Sequence, residues 1–245
     1  VGVIPAFLLF IIFFFLREPE SWQESRRIAK SGGQRMGSLV DLFSDPRWAK
    51  NALVALILAA VGVIGFWGIG TWSAELIRGV LNPNHLPELT KDVEKSVAWV
   101  VMAQNAGGFF GVFAFAFMAQ RFGRKPAFII ALIGCSIVVP TAFWVTNSLV
   151  TAMLMFALLG FALLTLFGGY AIYFPELFPT RLRATGTGFG YNVARYLSAM
   201  APFIFGKLSG SYGIQMAATM LSVVFLVGLL IMPFAPETKD KPLPE

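Results

Sequence analysis

The chain has 245 residues, of which 57% are hydrophobic, 15% aromatic and only 13% charged, with a net charge of +6 and a mean hydropathy of +0.72. A soluble domain carries about 25% charged residues, so this composition excludes an ordinary water-soluble protein. The basic residues sit in short joints beside apolar runs and do not collect on a polar surface, which also excludes nucleic acid as the natural partner.

The first sixteen residues, Val1 to Leu16, are uncharged but fall short of the ~20 needed to cross a bilayer. Residues 1–16 are therefore expected to be the end of a truncated span whose upstream part is missing. A signal peptide is the alternative, but the segment lacks an n-region charge and no small-residue cleavage pattern follows Leu16. Residues 17–51 are polar, carry both charge signs and read as a linker between two halves; within them Ser38 to Phe43 has the pattern of a short amphipathic element at a membrane surface.

Residues 52–234 read as an all-α bundle of six spans, at about 52–78, 97–119, 127–146, 149–173, 185–206 and 213–234, followed by a tail at 235–245. From Pro126 to Pro175 there is no Asp, Glu, Lys or Arg at all. A water-exposed helix needs one solvated face, whereas lipid tolerates a helix that is apolar all round if its backbone is satisfied internally. The joints 17–51, 120–126 and 175–184 and the tail hold 14 of the 19 basic residues, the opposite side holds 4, and Arg195 lies inside a span. The positive-inside rule makes the basic side cytoplasmic, in a cell membrane. On the other side, Asn82 to Pro87 has turn chemistry, and His85 there, the only histidine, reads as a solvated loop residue.

No enzyme motif survives at membrane depth, where no Ser–His pair, carboxylate pair or metal-ligand cluster is spaced for chemistry, and no cofactor or metal is expected. Cys135 alone permits neither an internal disulfide nor a thiolate cluster and reads as a packing residue. The glycine pairs Gly107/Gly111, Gly186/Gly190 and Gly206/Gly210 have the four-residue spacing that lets helix backbones approach in lipid.

Arg195 is the residue that composition makes expensive. Counted from Ala184 at ~1.5 Å per residue it lies about 16 Å deep, near the middle of a ~30 Å hydrocarbon core. A central arginine costs about 2.5–3.5 kcal/mol on an insertion scale, so it is expected to face a cavity or a partner. Gly188, Asn192, Arg195, Ser198 or Ala199, and Pro202 form one small, polar stripe on that helix. A second stripe carries Gln104, with Asn105 at its edge, at a matching depth. On the preceding span Trp67 and Trp72 are candidate contacts to a solute, and Glu75 is a candidate proton carrier or a partner of Arg78 at i+3. Together Arg195, Asn192, Gln104, Asn105, Trp67, Trp72 and Glu75 are the expected solute path.

The joints carry a resemblance. Arg121-Phe-Gly123-Arg124-Lys125, Pro19-Glu20-Ser21, Pro175-Glu176-Leu-Phe-Pro179-Thr180-Arg181-Leu-Arg183 and Pro236-Glu237-Thr238-Lys239 stand in the order and at the joints seen in the major facilitator superfamily. The set is similar to its sugar-porter-related branch, above all to organic acid symporters. Gln120 and Ala116 depart from the family loop, which places an Asp and a Gly there. The resemblance implies the carboxy-terminal half of the fold, from the end of span six to span twelve, and an absent amino-terminal six-helix half as partner. It also implies a cytoplasmic gate in which Arg121, Arg124, Lys125, Arg181 and Arg183 form salt bridges with Glu176 and Glu237. The function it implies is alternating-access transport of a small organic solute. A buried guanidinium grips carboxylates through two parallel hydrogen bonds, so an organic anion such as a monocarboxylate, moved with H+, is favoured over a neutral sugar. A sugar or polyol porter, or a non-transporting sensor on the same fold, remains the alternative.

Overall fold

The computed structural model describes residues 36–244 together with Glu20, Gln23, Glu24 and Arg27. The expected truncated span at 1–16 and part of the expected linker, including Pro19 and Ser21, lie outside the described residues. Among the described residues every regular element is helical.

A short helix α1 (Leu39–Ser44) opens the described part, its first turn capped by the Ser38 hydroxyl, which accepts from the Asp41 amide. It corresponds to the amphipathic element expected at Ser38 to Phe43, with Leu42 wholly buried and Phe43 edge-on to Phe189. Asp45 caps the next helix, α2 (Pro46–Val63), in which Pro46 occupies the first turn, where no amide hydrogen is needed. The same passage continues through a π-helical segment, Ile64–Ile69, a 3-10 turn, Gly70–Trp72, and α3 (Ser73–Leu81). Then follow α4 (Thr90–Phe122), α5 (Arg124–Val145) and α6 (Leu149–Glu176). The next passage is α7 (Arg183–Ser198) with α8 (Ala201–Tyr212), and the last is α9 (Ile214–Ser222) with α10 (Val224–Ile231) and a terminal 3-10 turn to Phe234.

Five of these passages are long and apolar enough to cross a membrane: Pro46–Leu81, Pro87–Phe122, Arg124–Val145, Leu149–Glu176 and Ile214–Phe234. The first, second and fourth of these passages outrun the expected spans because hydropathy marks only the apolar middle, whereas polar flanks such as the Asp45 cap extend the helix beyond it. The expected span 185–206 is corrected most: it is two helices joined at Ala199 and Met200, with Pro202 in the first turn of the second, and it runs on to Tyr212. Proline lacks an amide hydrogen and clashes with the preceding turn, which breaks the ladder there. The expected span at 52–78 is likewise not one α-helix, since its middle is the π-helical stretch Ile-Gly-Phe-Trp-Gly-Ile.

The helices are held by close approach. The most extensive contact is between α4 and α6, next come α2 with α7 and α5 with α6. A methyl group built on Gly107 or Gly111 would collide with the backbone carbonyl of Ala157 or Phe161, and one on Gly160 with that of Gln104. Gly190 similarly faces Ala55 across the α2/α7 contact. The pairs Gly107/Gly111 and Gly186/Gly190 thus serve packing, whereas Gly210 faces open space. Cys135 is buried, its thiol donating to the Ala162 carbonyl at 3.2 Å. Gly160→Ala should therefore lower the thermal unfolding midpoint in detergent, with a destabilisation of about 1–3 kcal/mol typical of overpacking, while Gly210→Ala should leave it unchanged.

Candidate functional site

Two groups of residues bear on function: a polar cluster at the basic end of the bundle, and a stripe of aromatic and polar residues at membrane depth.

At the basic end, Gly123 separates α4 from α5 with φ at +103°, and a side chain there would meet the Glu237 carboxylate at 2.7 Å. Glycine is required on both counts. That opening lets Glu237, from the tail, cap α5: its oxygens accept from the amides of Arg124 at 2.9 Å and Lys125 at 3.0 Å, and from those of Thr238 and Lys239 within its own turn. Burial pushes the Glu237 carboxyl up, but the four amide hydrogen bonds outweigh it and hold the group below its ordinary value. A carboxylate at a helix start also meets the positive end of the helix dipole.

Arg124 reaches the other way. Its Nε and Nη2 donate to the two oxygens of Glu176 at 3.0 and 2.7 Å, a bidentate pair with both side chains largely shielded. The Thr238 hydroxyl donates to the same carboxylate at 2.6 Å, and Tyr173 donates to the Pro236 carbonyl at 2.6 Å. The tail is thereby tied to α5 and α6 together.

The expected gate is not one pool of interchangeable ion pairs. Arg181 pairs with Asp41 beside α1, at 3.5 Å. Arg183 donates Nε to the Pro175 carbonyl at 3.0 Å, and its Nη2 is buried without a hydrogen-bond partner. Lys125 donates to the Pro233 carbonyl. Arg121 sets its guanidinium over Phe122 at 5.9 Å, while its own carbonyl accepts from Lys239. Sequence reading matched charges by level and could not see that several cations would satisfy helix-end carbonyls instead. Tyr173 and Asn51, which donates to the Leu177 carbonyl at 2.8 Å, were missed because nothing local distinguishes them, and Thr238 stood in the tail motif without a role assigned to it.

At depth, the candidates separate. Arg195 and Asn192 are both exposed on α7, on the side away from the Gly190, Ala194 and Ser198 face that meets α2. The Arg195 guanidinium carbon stands 5.9 Å from the centre of the Tyr191 ring, and among the described residues it makes no ion pair. Asn192 returns its amide to the Gly188 carbonyl at 2.9 Å. Tyr191 belongs to an aromatic run in which it meets Phe167 edge-on at 6.5 Å, Phe167 meets Phe66 at 5.5 Å, and Phe66 meets Trp67 at 5.2 Å. Trp67 itself, in the π-helical segment, is half exposed.

The second polar stripe is corrected. Gln104 is buried in the α4/α6 seam, where its Oε1 accepts from the Ser73 hydroxyl at 3.2 Å. Its neighbours Gly108 and Gly111 are occupied by the same contact. Asn105 is exposed but spends its amide on the Val101 carbonyl of its own helix. Trp72 is stacked on Phe205 at 5.0 Å, which makes it a packing residue. Glu75 pairs with Arg78 at 2.7 Å, and Arg78 also grips Glu94 at 2.7 and 3.0 Å, pinning α3 to the start of α4.

The family model described as the Major Facilitator Superfamily matches residues 67–245. The chain belongs to that superfamily. It is 26% identical over 246 residues to the cis,cis-muconate transport protein of Acinetobacter baylyi, covering 99% of this chain and 57% of that protein. It is 26% identical over 235 residues to the sialic acid transporter NanX of Escherichia coli, covering 95% and 53%. The chain thus spans little more than half the length of these relatives. A solved structure, the inward-open xylose transporter XylE of E. coli, superposes with a TM-score of 0.61 at 16% identity over 76% of this chain and 48% of that one, which establishes a shared fold. Superfamily membership and the apolar passages make this an integral membrane protein.

Because the Glu237 carboxyl is held below its ordinary value, its cap is fully formed above the usual carboxylate range near ~4.3 and is lost as pH falls through the depressed folded value. Hydrogen exchange at the Arg124 and Lys125 amides, corrected for intrinsic rates, should stay slow at neutral pH and accelerate on strong acidification. Glu237→Gln should raise it by about tenfold or more at neutral pH, the size expected for losing hydrogen bonds to a charged acceptor.

Proposed function

We propose that this chain is one bundle of a secondary transporter that moves a small organic carboxylate by alternating access, with proton coupling. The single observation that supports this reading is the Arg195 guanidinium: half-way along a passage, exposed, and without a carboxylate among the described residues to neutralise it. A charge left facing acyl chains is costly, so the face that carries it is one covered by water, solute or the other bundle. The guanidinium fork matches a carboxylate in two parallel hydrogen bonds. The solutes named for the two relatives, muconate and sialic acid, are both carboxylates.

Alternating access in this fold is a rocking of two bundles about a midplane site, and a ligand biases it only through different affinity for the two states. On this reading the basic end of the present bundle moves as one body, since the Glu237 cap and the Arg124–Glu176 pair both close within it. The π-helical and 3-10 stretch between α2 and α3 is the place where the first passage can bend, because its hydrogen-bond ladder is already irregular. Glu75 is engaged by Arg78, so a proton on Glu75 would act by loosening that outer clamp.

The complete transporter in proteoliposomes should take up a labelled monocarboxylate in preference to a hexose, faster with an inward proton gradient and without that gain when a protonophore is present. Arg195→Ala should lower the uptake by about 30-fold or more, the scale of a lost charge-assisted bidentate contact, with Arg195→Lys in between. Unchanged carboxylate uptake in Arg195→Ala would remove Arg195 from the site.

A further inference from the structure

Between α6 and α7 lies an open cleft of about 260 Å³ lined by Phe167, Tyr170, Ala171, Phe174, Thr187 and Tyr191. Its walls are fixed. The Tyr170 hydroxyl donates to the Leu58 carbonyl at 2.7 Å, which anchors the ring, and Phe174 stacks on Tyr170 at 4.8 Å with the planes only 16° apart. Phe167 closes one side, 5.4 Å from Tyr170 and edge-on to Tyr191. Two features of this cleft are not explained by packing. Thr187 is one of its lining residues, and its hydroxyl oxygen, shielded from solvent, has no hydrogen-bond partner. The Tyr191 ring that forms its far wall is the same ring over which the Arg195 guanidinium stands. Thr187, Tyr191 and Arg195 are spaced by four, so a hydroxyl, an aromatic face and a cation lie in one row along α7.

A saturated solute has no use for a row of this kind. Aromatic faces favour a flat partner over a puckered one of equal size. At roughly 30 Å³ per water-sized group, the volume suits a solute of about ten heavy atoms or fewer. Resting on the transporter reading above and sharpening it, we propose that this cleft is a binding slot for a planar, unsaturated or aromatic carboxylate. Its carboxylate is held at Arg195 and its π-face lies on Tyr191.

The test uses the complete transporter in detergent, with labelled benzoate as probe and cyclohexanecarboxylate as competitor. The two share a carboxylate on a six-membered carbon ring and differ in planarity and π-character. Benzoate should bind about tenfold more tightly, the ratio that one or two stacking contacts give. Tyr191→Leu should abolish the difference while keeping binding of both acids, because Arg195 remains, and Tyr191→Phe should keep the difference. A second readout guards against misfolded variants: Thr187→Cys should react with a water-soluble methanethiosulfonate reagent and be protected by benzoate, against the background of the buried Cys135. Equal binding of the two acids, or a preference that survives Tyr191→Leu, would overturn the slot and leave carboxylate transport standing. A Thr187→Cys thiol that is unreactive in a folded protein would show the cleft filled by the other bundle and overturn it as well. Binding of neither acid, with no carboxylate uptake in vesicles, would overturn both this proposal and the function it rests on.

Discussion

In hydrocarbon no water competes for backbone groups, and apolar surface gains little by leaving lipid for protein, so a bundle coheres through how closely its helices approach. Here that constraint is met chiefly at the α4/α6 seam, where Gly107, Gly111 and Gly160 admit carbonyl oxygens of the opposite helix into the space a side chain would take. The same closeness determines which residues remain free. Gln104 and Gly108 are consumed by the seam, whereas Asn105 on α4 and Asn192 and Arg195 on α7 stay exposed.

The basic end follows a second constraint, that helix ends carry unpaired amides and carbonyls. Glu237 from the tail takes the amides at the start of α5, while Lys125, Lys239 and Arg183 take carbonyls near the ends of their neighbours. Among the described residues, only Arg124 and Glu176, and more loosely Arg181 and Asp41, are ion pairs in this cluster. The result is a set of ties closing within one bundle. These ties join α5, α6 and the tail into one connected unit.

Much was legible in one dimension. The uncharged stretch from Pro126 to Pro175, the basic joints and the ordered loop motifs give a multi-pass helical membrane protein of the major facilitator type. The cost of an arginine in mid-span set the expectation that Arg195 faces a cavity or a partner, and the side chain lies exposed on α7 beside the Tyr191 ring. Spacing arguments failed where two faces of one helix were equally plausible. Gln104 and Asn105 are adjacent in sequence, and only the docking of α6 makes one buried and the other exposed. The break at Ala199 and Met200 and the π-helical stretch from Ile64 to Ile69 escaped a hydropathy reading because both lie in apolar sequence.

Sequence by itself determined the solvent, the helical class, the superfamily and the cost of Arg195, because each follows from local composition, charge or motif order. Tertiary structure alone decided which cations pair with carboxylates and which with carbonyls, why Gly123 must be glycine, and that Thr187 and Tyr191 border an aromatic cleft with Phe167 and Tyr170. Those outcomes depend on side chains brought together from helices far apart in the chain. No local spacing encodes the depth and rotation at which two helices meet.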